Sequence, residues 1–232
     1  MPRFFCAEPV QQNSQFELDT RVAQHVRVLR LREGEAVRLF DGGGGETPAT
    51  LTRVDKRSVE VTTDEHVAVE RELDRQITIY AALIANDRMD WMIQKACELG
   101  VSSIRPMFTE RSQRIPGDVT KRVEHWRGVL IAACEQCGRN LIPEIYAPVA
   151  LTEALSTLAT QSTVLLDADG DAVVSSIASG STSIFVGPEG GFSPSEIELL
   201  RKRCDHKLRI GRTVLRAETA AIAALASLAS LK

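Results

Sequence analysis

The pattern of apolar and polar residues changes near residue 70. Before that point, short apolar runs are separated by turn signals, the clearest being the glycine run at residues 41–45, which predicts a hairpin loop. A period of three to four residues across residues 20–29 predicts one helix. Short strands at this spacing are typical of a small β-barrel. The predicted strands cover residues 3–6, 15–18, 36–40, 47–54 and 59–63.

From residue 76 onward, predicted strands alternate with helices, which indicates an α/β domain. A charged stretch at residues 65–75 lacks a sustained apolar period, so we expect one domain at 1–70 and a second at 74–232. The predicted strands are 77–82, 103–108 and 163–166, and the longer helices are 120–137, 151–158 and 217–231. The clearest helix opens at Asn86, closes at Gly100, and has one apolar face made of Met89, Met92, Ile93, Ala96 and Cys97.

Two glycine loops between residues 183 and 219 follow short apolar runs, at 184–186 and 208–210, and each run fits a buried strand of a parallel sheet. The glycines at 187, 190 and 191 allow positive φ and close approach of the backbone to a ligand. Ser193 and Glu196 then form a predicted capping box, with Pro194 at the first helical position. Because loops at the carboxyl ends of parallel strands are where open α/β sheets bind ligands, these two loops predict a site.

The first loop has neither of two common nucleotide-binding patterns. It lacks the Lys-Ser/Thr pair of a P-loop and the G-x-G-x-x-G spacing of a dinucleotide site. An NAD-type oxidoreductase is therefore disfavoured.

Composition and charge add little at the level of the whole chain. The net charge of −3 gives no overall signal for nucleic acid, but residues 201–218 hold seven basic residues against two acidic ones, a candidate footprint for a polyanion. No amino-terminal segment has the form of a signal peptide, the apolar run at 220–231 is too short to span a bilayer, and five cysteines lack framework spacing. We expect a cytoplasmic protein.

A Cys-x-x-Cys pair, Cys134 and Cys137, lies near the end of a predicted helix. A zinc site needs four ligands, and no second pair lies at ligand spacing. A redox dithiol sits at the start of a helix, where the helix dipole lowers the thiol pKa. We therefore predict small residues on the apolar face of the helix, and no metal.

Four motifs in the same order resemble a known family. They are GPEGG at 187–191, VLRAET at 214–219, KACELGV at 95–101 and AACEQCGRN at 132–140, and the likeness also reaches residues 25–30. The chain is similar to the SPOUT-class RNA methyltransferases, and most of all to the bacterial 16S ribosomal RNA uridine-N3 methyltransferase family.

The resemblance implies a PUA-like β-barrel followed by an α/β domain whose late loops form a trefoil knot. It also implies S-adenosylmethionine as the cofactor, a uridine of the small ribosomal subunit as the target, and a homodimer. Arg216 would stabilise the uracil anion, and Glu218 or Glu189 would accept the proton or fix Arg216. The cofactor residues would be Leu166, Gly187, Gly190, Gly191, Ile210, Gly211, Leu215 and Ala217, and the RNA contacts Arg3, Arg27, Arg30, Arg111, Arg114 and Arg139.

Two other functions stay open at this point. Cofactor loops alone do not determine which atom is methylated, so a ribose 2′-O-methyltransferase of the same class is one alternative. The second is an RNA-binding or ribosome-assembly factor that has kept the fold without catalysis.

Overall fold

The computed structural model describes residues 1–114, 117–171, 177 and 180–230. The chain divides into a first unit, Met1–Glu72 with Cys134–Ile142, and a second unit, Leu73–Ala133 with the chain from Pro143 onward. The segment Cys134–Ile142, which we assigned to the second domain, thus groups with the first unit. The domain limits at 1–70 and 74–232 stay a prediction.

The first unit is built on a mixed five-stranded sheet in the order β1-β3-β4-β5-β2. β1 is parallel to β3 and the other neighbours are antiparallel, so the glycine run at residues 41–45 is the expected hairpin connection between β3 and β4. Helix α1 contributes Val22, Ala23 and Val26 to the core of the sheet, as its apolar period predicts. The elements are β1 (Arg3–Phe5), β2 (Gln15–Glu17), α1 (Thr20–Val28), β3 (Ala36–Phe40), β4 (Thr47–Val54) and β5 (Val59–Thr63).

The second unit is a parallel sheet in the order β12-β10-β11-β6-β7-β8, with β9 also paired to β7. The chain visits the sheet out of sequence order, so strands far apart in sequence become neighbours. Its elements are β6 (Ile77–Ala82), α2 (Asn86–Glu98), β7 (Ser103–Phe108), α3 (Val119–Cys137), β8 (Glu144–Ile145), β9 (Val149–Ala150), α4 (Leu151–Ser156), β10 (Ser162–Asp171), β11 (Thr182–Val186), α5 (Pro194–Arg203), β12 (His206–Leu208) and α6 (Ala217–Ala229).

Two helices of this unit pack on each other. The five apolar residues predicted on one face of α2 are its five buried residues. Helix α6 is rich in Ala and Leu and is apolar nearly all round. It packs on α2 and on the sheet, which bury its apolar surface. Residue 231, the end of the predicted helix, lies outside the described residues.

The sequence prediction was wrong for β12. We expected the strand to include Arg209 and Ile210, but it is His206–Leu208 and these two residues belong to the following loop. No helix within the described ranges combines the length and apolar character needed to cross a membrane.

Candidate functional site

A part of strand β10 and the loops after β11 and β12 line one cavity of about 650 Å³. β10 lies between β11 and β12 in the parallel sheet. The residues that follow the first paired residues of β10, and the loops after β11 and β12, therefore come together at one edge of the sheet. The volume falls within the range of small-molecule sites, about 300–1,000 Å³. The walls come from residues 165–168, 186–192, 208–210 and 212–217, together with Arg88, Ile197 and Ala220.

The loop after β11 needs its glycines. A Cβ at Gly187 would lie 3.1 Å from the ring of Phe192, and Gly191 has φ +68°, which strains other residues. The loop then enters α5 through the predicted capping box, in which Glu196 N–H donates to Ser193 Oγ and Ser193 N–H donates to a Glu196 carboxylate oxygen.

Contacts from two other segments hold this loop in place. Glu189 Oε1 accepts from Ala85 N–H at 3.3 Å and from Arg88 Nη1 at 3.4 Å. Ala85 is the N-cap of α2 and offers no side-chain cap, so Glu189 supplies the negative group that a helix start favours. On the other side, Arg111 Nη1 donates to Gly190 O at 3.0 Å. We expected Glu189 to take part in catalysis and Arg111 to bind RNA. In the structure both side chains make contacts that hold the loop at residues 187–191 in place.

The wall from β10 carries a carboxylate. Burial alone would raise the pKa of Asp167, but a hydrogen bond from Asp169 N–H at 3.0 Å and the Arg201 guanidinium at 3.1 Å outweigh it and hold the pKa below its usual value. Asp167 is therefore negative at neutral pH and faces the cavity.

The loop after β12 supplies arginines and aliphatic side chains. Arg209 folds back to donate to Gly211 O at 3.1 Å and to Arg212 O at 3.0 Å, which fixes the turn. Arg212 and Arg216 line the cavity and are exposed. Neither forms an ion pair with any residue that the structure describes.

Glu218 lies at the start of α6 and is 7 % exposed. Its Oε1 is 4.0 Å from Arg88 Nε, and its Oε2 has no hydrogen-bond partner among the described residues. It is absent from the cavity lining, whereas Arg88 is part of it. Glu218 was expected to accept the proton or to fix Arg216, but it lies outside the cavity lining and the cation at ion-pair distance is Arg88. Arg88 was not singled out in the sequence.

The structure brings most of the predicted site residues together. Of the proposed catalytic residues, Arg216 and Glu189 line the cavity. Gly211, with φ +73°, shapes the turn but is not part of the lining. The proposed cofactor residues that do line the cavity are Leu166, Gly187, Gly190, Gly191, Ile210, Leu215 and Ala217.

Two of the predicted RNA contacts are paired with carboxylates of the first unit. Arg139 is 4 % exposed and pairs with Glu72, to which its Nε donates at 3.0 Å. Arg3 pairs with Glu46 and donates to Asn140 Oδ1 at 2.7 Å. These guanidiniums hold the unit together, so we withdraw both arginines as RNA contacts.

The other predicted RNA contacts are more accessible. Arg30 and Arg114 are exposed, while Arg27 is half-buried and donates from Nε to Asp55 O at 2.9 Å. Within the ranges given above, the structure shows no group of three His, Cys, Asp or Glu side chains arranged to hold a metal. Cys134 is buried and Cys137 half-buried, as expected for the apolar side of α3.

Nearly the whole chain is similar to known RNA methyltransferases. Residues 71–229 match the family described as RNA methyltransferase domain, and residues 18–64 match the RNA methyltransferase PUA domain. The ribosomal RNA small subunit methyltransferase E of Rickettsia conorii is 30 % identical over 97 % of this chain and 93 % of its own. The chain belongs to the ribosomal RNA small subunit methyltransferase E family.

Other members of the small subunit methyltransferase E family agree with this assignment. The Bacillus subtilis protein of that name is 28 % identical, covering 98 % of this chain and 96 % of its own. The crystal structure of the Neisseria gonorrhoeae protein, bound to S-adenosyl methionine, is 32 % identical with a TM-score of 0.91, covering 97 % of this chain and 95 % of that one. The predicted fold class, a PUA-like domain followed by an α/β RNA methyltransferase domain, is confirmed.

Proposed function

We propose that this protein transfers the methyl group of S-adenosylmethionine to N3 of a uridine in 16S ribosomal RNA of the small subunit. Membership of the small subunit methyltransferase E family supports the ribosomal RNA substrate, and the cofactor of the Neisseria relative supports the methyl donor. The N3 position is the finer part of the proposal. The observation that carries the proposal is one cavity that combines glycine backbone, aliphatic walls and Arg216, an arginine with no ion-pair partner in the part of the chain that the structure describes.

The cavity suits S-adenosylmethionine in size and chemistry. That molecule supplies a methyl group activated on a positively charged sulfur. Leu166, Ile210 and Leu215 provide apolar surface for a flat base, and the loop at residues 187–191 offers main-chain donors and acceptors at close range. Asp167 adds a negative charge that favours a cationic ligand.

The target nitrogen determines what else the protein must provide. Uridine N3 carries a proton and becomes a nucleophile when that proton leaves, whereupon its lone pair forms the N–C bond as the C–S bond breaks. The negative charge that develops on the uracil oxygens needs a cation, and we assign this role to Arg216, which has no ion-pair partner among the described residues. Glu189 is our choice for the proton acceptor, because it is the glutamate that lines the cavity.

RNA binding needs cations that are not committed elsewhere. We assign phosphate contacts to Arg30, Arg114 and Arg212, which are exposed, and to Arg27, which bonds a carbonyl and no carboxylate among the described residues. They replace Arg3 and Arg139, which pair with carboxylates of the first unit. The target base must leave its stack to reach the cavity, as in other enzymes that act on bases. The homodimer also belongs to this proposal.

Methylation of small subunits from a strain that lacks this activity tests the proposal. Purified subunits are incubated with labelled S-adenosylmethionine and the protein, and the RNA is digested and analysed by mass spectrometry. We expect the label in N3-methyluridine, and a loss of roughly 100-fold or more with Arg216→Ala, since removing a single charge-stabilising donor typically costs this much. Arg53→Ala, which removes an exposed arginine paired with Asp55, is the matched control.

Each other outcome has a definite meaning. Label in a 2′-O-methyl nucleoside would replace the N3 assignment with ribose methylation. Absence of saturable heat in calorimetry with S-adenosylmethionine would favour a non-catalytic RNA-binding factor. Unchanged activity in Arg216→Ala would remove Arg216 from the catalytic group.

A further inference from the structure

We infer that Arg88 is a positioning residue of the methyl-transfer site, whose guanidinium fixes the loop at residues 187–191 against the start of α6. The inference rests on the proposed function, since it concerns the same cavity. It adds a role for a side chain of α2, an element that supplies neither of the two glycine loops.

Arg88 reaches two carboxylates from a single planar group. It is the third residue of α2 and lines the cavity. Its Nη1 lies 3.4 Å from Glu189 Oε1, and its Nε lies 4.0 Å from Glu218 Oε1. Glu189 belongs to the loop after β11 and Glu218 to the first turn of α6, so one side chain joins this loop to the start of α6.

The burial of Glu218 explains why this side chain must stay where it is. A carboxylate on a residue that is only 7 % exposed is costly unless a cation or hydrogen-bond donors compensate its charge. One Glu218 oxygen has no partner among the described residues, and Arg88 is the cation within ion-pair distance of the other. Arg88 is therefore attracted inward by Glu218 while it also holds Glu189.

The consequence for catalysis follows from chain connectivity. Glu218 is two residues after Arg216, and Ala217 between them lines the cavity. Glu189 lies between Gly187 and Gly191, which also line the cavity. A displacement of either carboxylate would change the spacing between the cofactor loop and Arg216, and displacements of about 1 Å typically cost roughly 100-fold in rate.

The geometry also predicts that lysine is a poor substitute. Arginine presents five N–H donors in a rigid fork, whereas lysine has a single ammonium on a flexible stem. Lysine at position 88 would keep the positive charge but hold only one of the two carboxylates in its present place. We therefore expect Arg88→Lys to lie between wild type and Arg88→Ala.

Steady-state kinetics test the role. We expect kcat/KM for S-adenosylmethionine to fall roughly 10- to 100-fold in Arg88→Ala, while KM for the small subunit stays within about threefold of wild type. Arg88→Lys should fall less, and Arg53→Ala should match wild type. An inactive wild type would count against the proposed function, whereas an active wild type with unchanged kinetics in Arg88→Ala would overturn this inference alone.

Thermal unfolding gives a second readout that does not depend on turnover. Arg88→Ala should lower Tm by roughly 4 to 8 °C because Glu218 loses its compensating charge. Adding Glu218→Gln should restore at least half of that loss, since the buried charge is then gone. Should Arg88→Ala fail to fold, Arg88→Lys and its combination with Glu218→Gln provide the same cycle. Additive losses in the cycle would show that the two side chains are not coupled and would overturn the inference.

Discussion

Replacing Glu46 with glutamine should destabilise the first unit selectively. Glu46 is 4 % exposed and pairs with three arginines: Arg3, Arg38 at 3.3 Å and Arg71 at 3.5 Å. Burial alone would raise the pKa of Glu46, but the hydrogen bond from Arg3 and the charges of the three guanidiniums outweigh it and lower the pKa. Glutamine has nearly the same shape and removes the negative charge.

The size of the effect follows from how exposed each partner is. Breaking a buried ion pair by removing one charge costs about 3–5 kcal/mol. Arg38 and Arg71 are 31 % and 44 % exposed, so water screens their share, and glutamine keeps one acceptor for Arg3. We therefore expect a loss of about 2–3 kcal/mol. Glu60→Gln, which removes a more exposed partner of Arg53, should change stability by less than about 0.5 kcal/mol.

Cysteine reactivity distinguishes the two units in one experiment. Cys6 is buried in the core of the first unit and Cys97 in the second. Alkylation across a urea series, resolved by peptide mass spectrometry, thus reports each unit separately. With an m value of about 1 kcal/mol/M, the Cys6 midpoint should fall by about 2 M while the Cys97 midpoint moves much less.

The pH dependence supplies the refuting result. Because the folded-state pKa of Glu46 is lowered, its contribution is complete above its unfolded pKa, near 4.5, and is lost as pH falls through the folded pKa. The difference between wild type and Glu46→Gln should therefore be largest at neutral pH and disappear in acid. A Cys6 midpoint that does not move at pH 7, or a difference that grows in acid, would refute the assigned role of the arginine cluster.

Three further predictions concern the second unit. Gly170→Ala would place a Cβ 2.7 Å from Lys207 O in β12, the strand that leads into one of the loops of the cavity. Calorimetry should therefore show S-adenosylmethionine binding that is weaker by about tenfold or more. Gly128→Ala, at an open helical position, should bind normally. Ser193→Ala removes the capping box and should lower the stability of the unit by about 1 kcal/mol in thermal unfolding. Burial raises the pKa of Cys204 from 9.0 to about 12, so its alkylation at pH 8 should be roughly 1,000-fold slower in the native protein than in urea; equal rates would contradict this environment.

Features set by neighbouring residues were predictable from the sequence. The apolar face of α2 is a local period, and all five of its predicted residues are buried. The Ser193–Glu196 capping box is likewise a pattern within four residues. A cluster of glycines predicts a tight loop, and Gly191 does adopt a positive φ there.

Features set by distant residues were not predictable in the same way. Arg88 and Glu189 are 101 positions apart, and only the order of strands in the sheet brings them together. Arg139 was expected to contact RNA, but it pairs with Glu72, which is 67 positions away in sequence. β12 was misplaced because His206 and Lys207 are polar, so this edge strand has no apolar run to mark it.

The first unit is built from two separate segments of the chain, which has a practical consequence for the design of fragments. A gene fragment that ends at residue 72 would omit Cys134–Ile142, and with it the Asn140 side chain that accepts from Arg3 and donates to Val69 O. It would also leave Glu72 without Arg139. Transplanting this module into another protein therefore calls for a spliced gene with two stretches of sequence, joined by a short linker in place of the intervening sixty-one codons.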